Sequence, residues 1–140
     1  MNRLFLTLGA SLLAAMALAQ DRSTTAAGAE VYFIAPRDGA TVRGPVTVQF
    51  GLKGMGVAPA GIKFDNTGHH HLLIDTDQSE LKLEASLPAT EKIVHFGKGQ
   101  TETTLMLPPG KHTLELLFAD WQHLSFNPPL HSKKITITVD

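Results

Sequence analysis

The chain contains no cysteine, and that absence removes thiol nucleophiles, thiolate metal sites and disulfides together. Aromatic residues are scarce, at 6% with one Trp and one Tyr, so stacking platforms for bases or sugars are not expected. Neither sign of charge dominates, since 12 Lys plus Arg stand against 13 Asp plus Glu. A formal net charge of −1 offers no basic surface for nucleic acid or for an anionic membrane. Long apolar runs are missing too: the stretch Leu4 to Met16 is shorter than the roughly 20 residues of a comfortable bilayer span. What is present is a chain of 140 residues, 43% hydrophobic and 18% charged, which suits one globular domain and leaves little for a second. Histidine, with seven residues, is the one type in clear excess.

Residues 1–19 read as a signal peptide. Asn2-Arg3 forms a short positive start, Leu4 to Met16 an uncharged apolar stretch, and Ala17-Leu18-Ala19 a small-x-small cleavage pattern before Gln20. The expected location is therefore periplasmic, with no membrane span after cleavage. Residues 20–29 (QDRSTTAAGA) are small and polar without apolar periodicity, and read as a flexible leader. Residues 30–140 form the expected single domain.

From Glu30 onward the signals are those of strands. Val46, Val48 and Phe50 alternate with Thr47 and Gln49, the period of a half-buried strand. Ile135, Ile137 and Val139 alternate in the same way with Thr136 and Thr138. Further strands are expected from Val31, over His69 to Asp75, Lys92 to Phe96, Thr101 to Leu107 and Lys111 to Ala119. Arg37-Asp38-Gly39, Gly97-Lys98-Gly99 and Pro108-Pro109-Gly110 mark turns between them, and Gly51 to Gly68 reads as a long Gly-rich loop. The acidic segment from Asp75 through Glu84 is expected to be a helical turn or irregular. About seven short strands with no convincing amphipathic helix predict an all-β fold, an immunoglobulin-like antiparallel β-sandwich.

The most informative segment is Gly68-His69-His70-His71-Leu72-Leu73-Ile74-Asp75. On a strand, His69 and His71 share one face, while His70 falls in phase with Leu72 and Ile74 on the other. An H-x-H pair on one face sets two imidazoles roughly 6.5–7 Å apart at the backbone, close enough to chelate one ion. A stable site needs at least one more ligand from elsewhere. His95, at a strand end before Gly97, and His123, in the Asp120-Trp121-Gln122-His123 loop, are the candidates. His112, in phase with Leu114 and Leu116, reads as a partly buried histidine hydrogen-bonded near a turn, and His131 as a solvated one. Met55, flanked by Gly54 and Gly56, is a candidate thioether ligand for reduced copper. No G-x-S-x-G elbow, H-E-x-x-H helix or phosphate-binding loop occurs. An enzyme is not expected; a metal-dependent hydrolase is the one catalytic alternative.

Several stretches together resemble a known family. They are Phe50-Gly51-Leu52-Lys53-Gly54-Met55-Gly56-Val57, Asn66-Thr67-Gly68-His69-His70-His71, His95-Phe96-Gly97-Lys98-Gly99 and Pro109-Gly110-Lys111-His112. The family comprises small exported bacterial proteins grouped as a domain of unknown function, some of them called rod shape-determining proteins. The resemblance covers nearly all of the chain after residue 19 and implies a periplasmic, single-domain, immunoglobulin-like protein. It implies no function. Where the family pattern carries a second histidine, shortly before Pro128-Pro129, this chain has Phe126. A site built from His69, His71, His95 and His123 survives that departure.

The functional expectation is a protein that sequesters or carries a metal ion. Imidazole ligands without thiols suit copper, zinc or nickel, and affinity order favours copper. Ligand histidines must be neutral, so affinity should fall as pH drops through about 6.5. The expected partners are the ion and an envelope protein or metal acceptor. The alternative expectation is a non-metal envelope interaction module using the 51–68 and 120–131 loops.

Overall fold

The computed structural model of the chain describes residues 20–140, and the signal-peptide expectation for residues 1–19 lies outside them. Among the described residues there are nine strands: β1 (Glu30–Ala35), β2 (Thr41–Val42), β3 (Val46–Lys53), β4 (Gly56–Val57), β5 (Thr67–Ile74), β6 (Ile93–His95), β7 (Glu102–Leu105), β8 (Gly110–Ala119) and β9 (Ile135–Val139). The acidic segment supplies one 3-10 turn, Gln78–Glu80, capped by the Asp77 carboxylate accepting from Ser79 N. The all-β expectation holds. β2 and β4 are additional to the expected seven; two residues each is too short to leave an alternating pattern in sequence.

The strands form two sheets. One has the order β1-β3-β7, and the other runs β2-β9-β8-β5-β4 with β6 also on β5. β5 meets β8 antiparallel along one edge, from His69↔Ala119 to Ile74↔Leu114. Its other edge is divided. Gly56 and Val57 of β4 pair in parallel with Thr67 and Gly68, whereas β6 pairs antiparallel with His71, Leu72 and Leu73. The histidine triplet therefore straddles the change of partner.

Between the sheets lies the main core. Val46, Val48 and Phe50 of β3 meet Leu72 and Ile74 of β5, Leu114, Leu116 and Phe118 of β8, and Ile135, Ile137 and Val139 of β9. The outer faces of β5 and β8 are buried as well. Leu73, Leu117 and Ala119 pack there against Leu83, Leu87 and Ile93, forming a second apolar cluster. The 75–92 segment is what covers this face, and it explains why β5 from Gly68 onward and the second half of β8 are buried without a break rather than in half-buried alternation.

Residues 20–29, expected as a flexible leader, lie against the 120–128 loop. Thr24 bridges Asn127, Thr25 N donates to Asn127 O at 3.2 Å, and Asn127 N returns a bond to Ser23 O at 2.9 Å. The polar composition that reads as a loose tail serves here as hydrogen-bonding surface.

Gly68 marks the tightest backbone approach in the second sheet. A Cβ on it would stand 2.2 Å from Ala119 O. Gly68→Ala should therefore force β5 and β8 apart and lower the denaturant midpoint by an amount equivalent to about 1–3 kcal/mol, while Gly61→Ala, whose Cβ meets nothing within 4 Å, should show only the backbone strain of its positive φ.

Candidate metal centre

The outer face of β5 carries the two alternating imidazoles, His69 and His71, both fully buried. Strand register brings in the third. His95 is the Cα partner of His71, so its side chain projects on the same face. The fourth comes from the loop that follows β8. Beside His69 the sheet carries Ala119, whose small side chain leaves the room that the incoming loop fills. His123 arrives there with φ at 65°, a left-handed conformation unusual for a side-chain-bearing residue.

The four rings are mutual neighbours. Centroids are 4.9 Å apart for His69–His71 and for His69–His95, 5.0 Å for His69–His123, 5.1 Å for His71–His95 and 4.6 Å for His95–His123. His71 and His123 are the widest pair at 6.2 Å. One ligand nitrogen from each of His69, His95 and His123 lies within 4.8 Å of the other two. Closing on an ion held at about 2.0–2.1 Å needs each ring to draw in by less than about 1 Å. His95 and His123 are half-buried, so the group meets solvent on their side.

The buried nitrogens have no partners. Both ring nitrogens of His69, both of His71, and Nε2 of His95 are sealed from solvent without a hydrogen bond. Each such atom costs about 1–3 kcal/mol when nothing satisfies it. No carboxylate belongs to the group among the described residues. Burial pulls the His69 pKa down to about 4, with the neighbouring imidazoles adding to it, and pulls His71 down to about 2 for the same reasons. His95 is lowered as well, by desolvation first and His123 second. These imidazoles are neutral at pH 7, the form that donates a lone pair to a metal. Their competence extends below pH 6.5, where an exposed histidine would already be lost.

Two features hold the rings in place. A Cβ on Gly97 would stand 2.3 Å from His95 Cε1, so the His95 ring lies directly over the Gly97 backbone. The buried Asp120 organises the His123 loop: its Oδ1 accepts from Gln122 N at 2.9 Å and Leu124 N at 3.1 Å, and its carbonyl accepts from His123 N at 2.9 Å. From the covering segment, Leu87 N donates to His123 O at 2.8 Å.

The remaining candidates fall elsewhere. His70 projects into the main core between Phe50 and Phe118, at centroid distances of 5.1 and 5.0 Å, as its phase with Leu72 and Ile74 requires. Met55 is not brought to the centre. It packs half-buried against the main core, on the face of β5 opposite His69 and His71, because apolar burial between the sheets outcompetes a place among imidazoles. His112 Nδ1 stands 2.9 Å from Asp75 Oδ2 and its Nε2 2.8 Å from Pro108 O, the bonded turn histidine that was expected. His131, expected to be solvated and idle, sets Nδ1 2.9 Å from the buried Glu115 carboxylate. Sequence reasoning did not assign Gly97, Asp120 or the 75–92 cover; Gly97 immediately after His95-Phe96 was the one visible signal.

Residues 48–140 match the family described as a domain of unknown function, DUF4399. The chain belongs to that family. All four clustered histidines, Gly97 and Asp120 lie within the part of the DUF4399 protein that matches, whereas residues 20–47 lie outside it. No curated protein matches the chain. Among solved structures, the endo-beta-1,4-mannanase from Thermotoga petrophila is similar at 17% identity with a TM-score of 0.46. The match covers 80% of the DUF4399 chain but only 20% of that enzyme, and nothing about activity follows from it.

The unpartnered imidazoles have a measurable consequence. His71→Leu should raise the stability of the metal-free protein by about 1–3 kcal/mol, because an apolar side chain has no donor or acceptor to strand. The pH response has a definite sign. The unfolded chain protonates His69 and His71 near 6.5, the folded chain only near 4 and about 2. Stability present above pH 6.5 is therefore lost as pH falls toward 4, each histidine contributing up to about 1.4 kcal/mol per pH unit. Thermal unfolding of the metal-free protein between pH 7 and 4 should show a steeper decline than that of a His69→Leu/His71→Leu variant. His112, raised by its Asp75 contact, works in the opposite sense in both proteins.

Proposed function

We propose that the protein binds one divalent transition-metal ion through His69, His71, His95 and His123 and serves to sequester it or hand it on. The observation that carries this reading is the convergence of buried ring nitrogens without partners. Such a cluster costs folding free energy, and a metal ion is the ligand that satisfies several lone pairs at once. An all-imidazole donor set suits copper(II), zinc or nickel, and the affinity order puts copper first. With Met55 on the other face of β5, the soft ligand that would favour the reduced copper ion is not part of the set.

Binding fits this donor set better than turnover. Among the described residues no carboxylate joins the His69, His95 and His123 group, and the His71 ring lies 4.9 and 5.1 Å from those of His69 and His95, where a hydrolytic site keeps a water. The N-terminal Asn2-Arg3, Leu4 to Met16 and Ala17-Leu18-Ala19 pattern supports export to the periplasm, where a cytosolic thiol pool would not compete for the ion. A metal acceptor or other envelope partner would meet the chain at residues 58–66, the part of the expected 51–68 loop that lies between β4 and β5, the rest being taken up by β3, β4, β5 and the short link between β3 and β4. Ile62 and Phe64 are exposed there, while Gly61 N bonds Trp121 O at 3.0 Å and Ala60 N bonds Gly97 O at 2.8 Å, beside two of the ligands.

Elemental mass spectrometry of tagless protein, exposed to copper, zinc and nickel and then desalted, tests the proposal. Close to one equivalent is expected in the wild type and little in a His95→Ala/His123→Ala variant whose circular dichroism is unchanged. Substoichiometric metal in both would refute it. A subtler change should act without removing a ligand: Gly97→Ala must displace the His95 ring, and metal affinity measured by chelator competition should fall about 10–100-fold.

A further inference from the structure

The segment before β1 is the first described stretch of the chain, and it is tied to the one ligand-bearing element that is not a strand. Ser23 Oγ donates to Asp120 Oδ2 at 2.8 Å. That leaves Asp120 Oδ1 aimed at the amides of Gln122 and Leu124, on either side of His123. Arg22 reaches the far end of the same loop. Its Nε donates to Ser125 O at 2.8 Å, and its Nη2 contacts Ser125 Oγ at 3.1 Å and donates to Phe126 O. Two backbone bonds to Asn127 complete the attachment.

The loop needs this support because of what it holds. His123 sits at φ 65°, a conformation that is strained for a residue with a Cβ and persists only where surroundings over-determine it. His69, His71 and His95 have strand register to place them; His123 has the hydrogen bonds of its loop, with Leu87 N at 2.8 Å from its carbonyl and Ser86 Oγ donating to Gln122 O at 2.9 Å from the covering segment. A guanidinium fork and a hydroxyl–carboxylate bond on both flanks are the kind of outer-shell contacts that orient a ligand.

We propose that residues 22–25 act as a strap that positions His123, with Arg22 and Ser23 as positioning residues for the metal centre. The inference rests on the metal-binding reading above for its consequence, but its geometric content stands on the metal-free protein. Strap docking and ion binding are then linked: the strap strengthens binding, and by reciprocity the ion must hold the strap down.

The test uses an Arg22→Ala/Ser23→Ala variant of the full mature chain. In the metal-free protein, nuclear Overhauser contacts from the His123 ring to His69 and His95 should weaken, while those among His69, His71 and His95 persist. Unchanged His123 contacts would overturn the proposal, whether or not a metal binds. With copper(II) added, affinity should fall at least tenfold, and electron paramagnetic resonance should count one fewer coordinated imidazole. Unchanged affinity and nitrogen count would likewise overturn it. Ser23→Thr, which keeps the hydroxyl, should retain wild-type behaviour; Arg22→Lys, which loses the fork, should not. In wild type, amide exchange at Thr25 through local opening of the strap should slow when copper is added, a response that a strap serving only general stability would not give. Wild type that takes up no copper would refute the metal reading, and the ring contacts of the metal-free variant would then decide the strap by themselves.

Discussion

Burial of β5 on both faces is the constraint on which the molecule turns. An ordinary sandwich strand shows one face to the core and the other to water, so histidines on the outer face would be solvated and individually unremarkable. Here the 75–92 segment lays Leu83 and Leu87 over that face, beside Ile93 of β6. His69 and His71 are thereby taken out of water together with the second apolar cluster. Desolvation then holds them neutral, and the neighbouring rings reinforce the effect. Cover, proton state and ligand competence follow from one packing event.

The arrangement sets stability against function. A core that only had to fold would place aliphatic side chains where His69 and His71 stand, as it does at Leu73 two residues on. Instead the sheet accommodates unpartnered ring nitrogens and a left-handed His123, local violations of the rules that the rest of the domain obeys. Such violations concentrate at functional sites. His70 sharpens the contrast. It is equally buried and unpartnered, yet it lies alone between two phenylalanine rings, so the imidazole cluster on the other face is distinguished by convergence and not by burial.

Much of the fold was legible in the residues. Strict alternation in 46–50 and 135–139 marked two of the strands that face the core on one side only. The turn tripeptides located most of the remaining boundaries to within a residue or two. The two-residue strands β2 and β4 were not legible, since a pair of residues carries no period. The 20–29 segment misled for a related reason: small polar residues are what a loose tail and a hydrogen-bonded strap have in common, and only the partners on the 120–128 loop separate the two. Met55 misled because a methionine between glycines looks free of packing until the opposite sheet closes on it.

By itself, the sequence determined which histidines share a face of β5, because side-chain direction along a strand depends on parity alone. It also determined that thiols take no part and that His70 belongs with the aliphatics. Tertiary structure decided the rest. Cross-strand register, which no local pattern encodes, set His95 opposite His71. A loop conformation stabilised by Asp120 brought in His123. The exclusion of Met55 and the enlistment of residues 22–25 were decided there too, since both depend on what lies across space from a residue and not on what lies beside it in the chain.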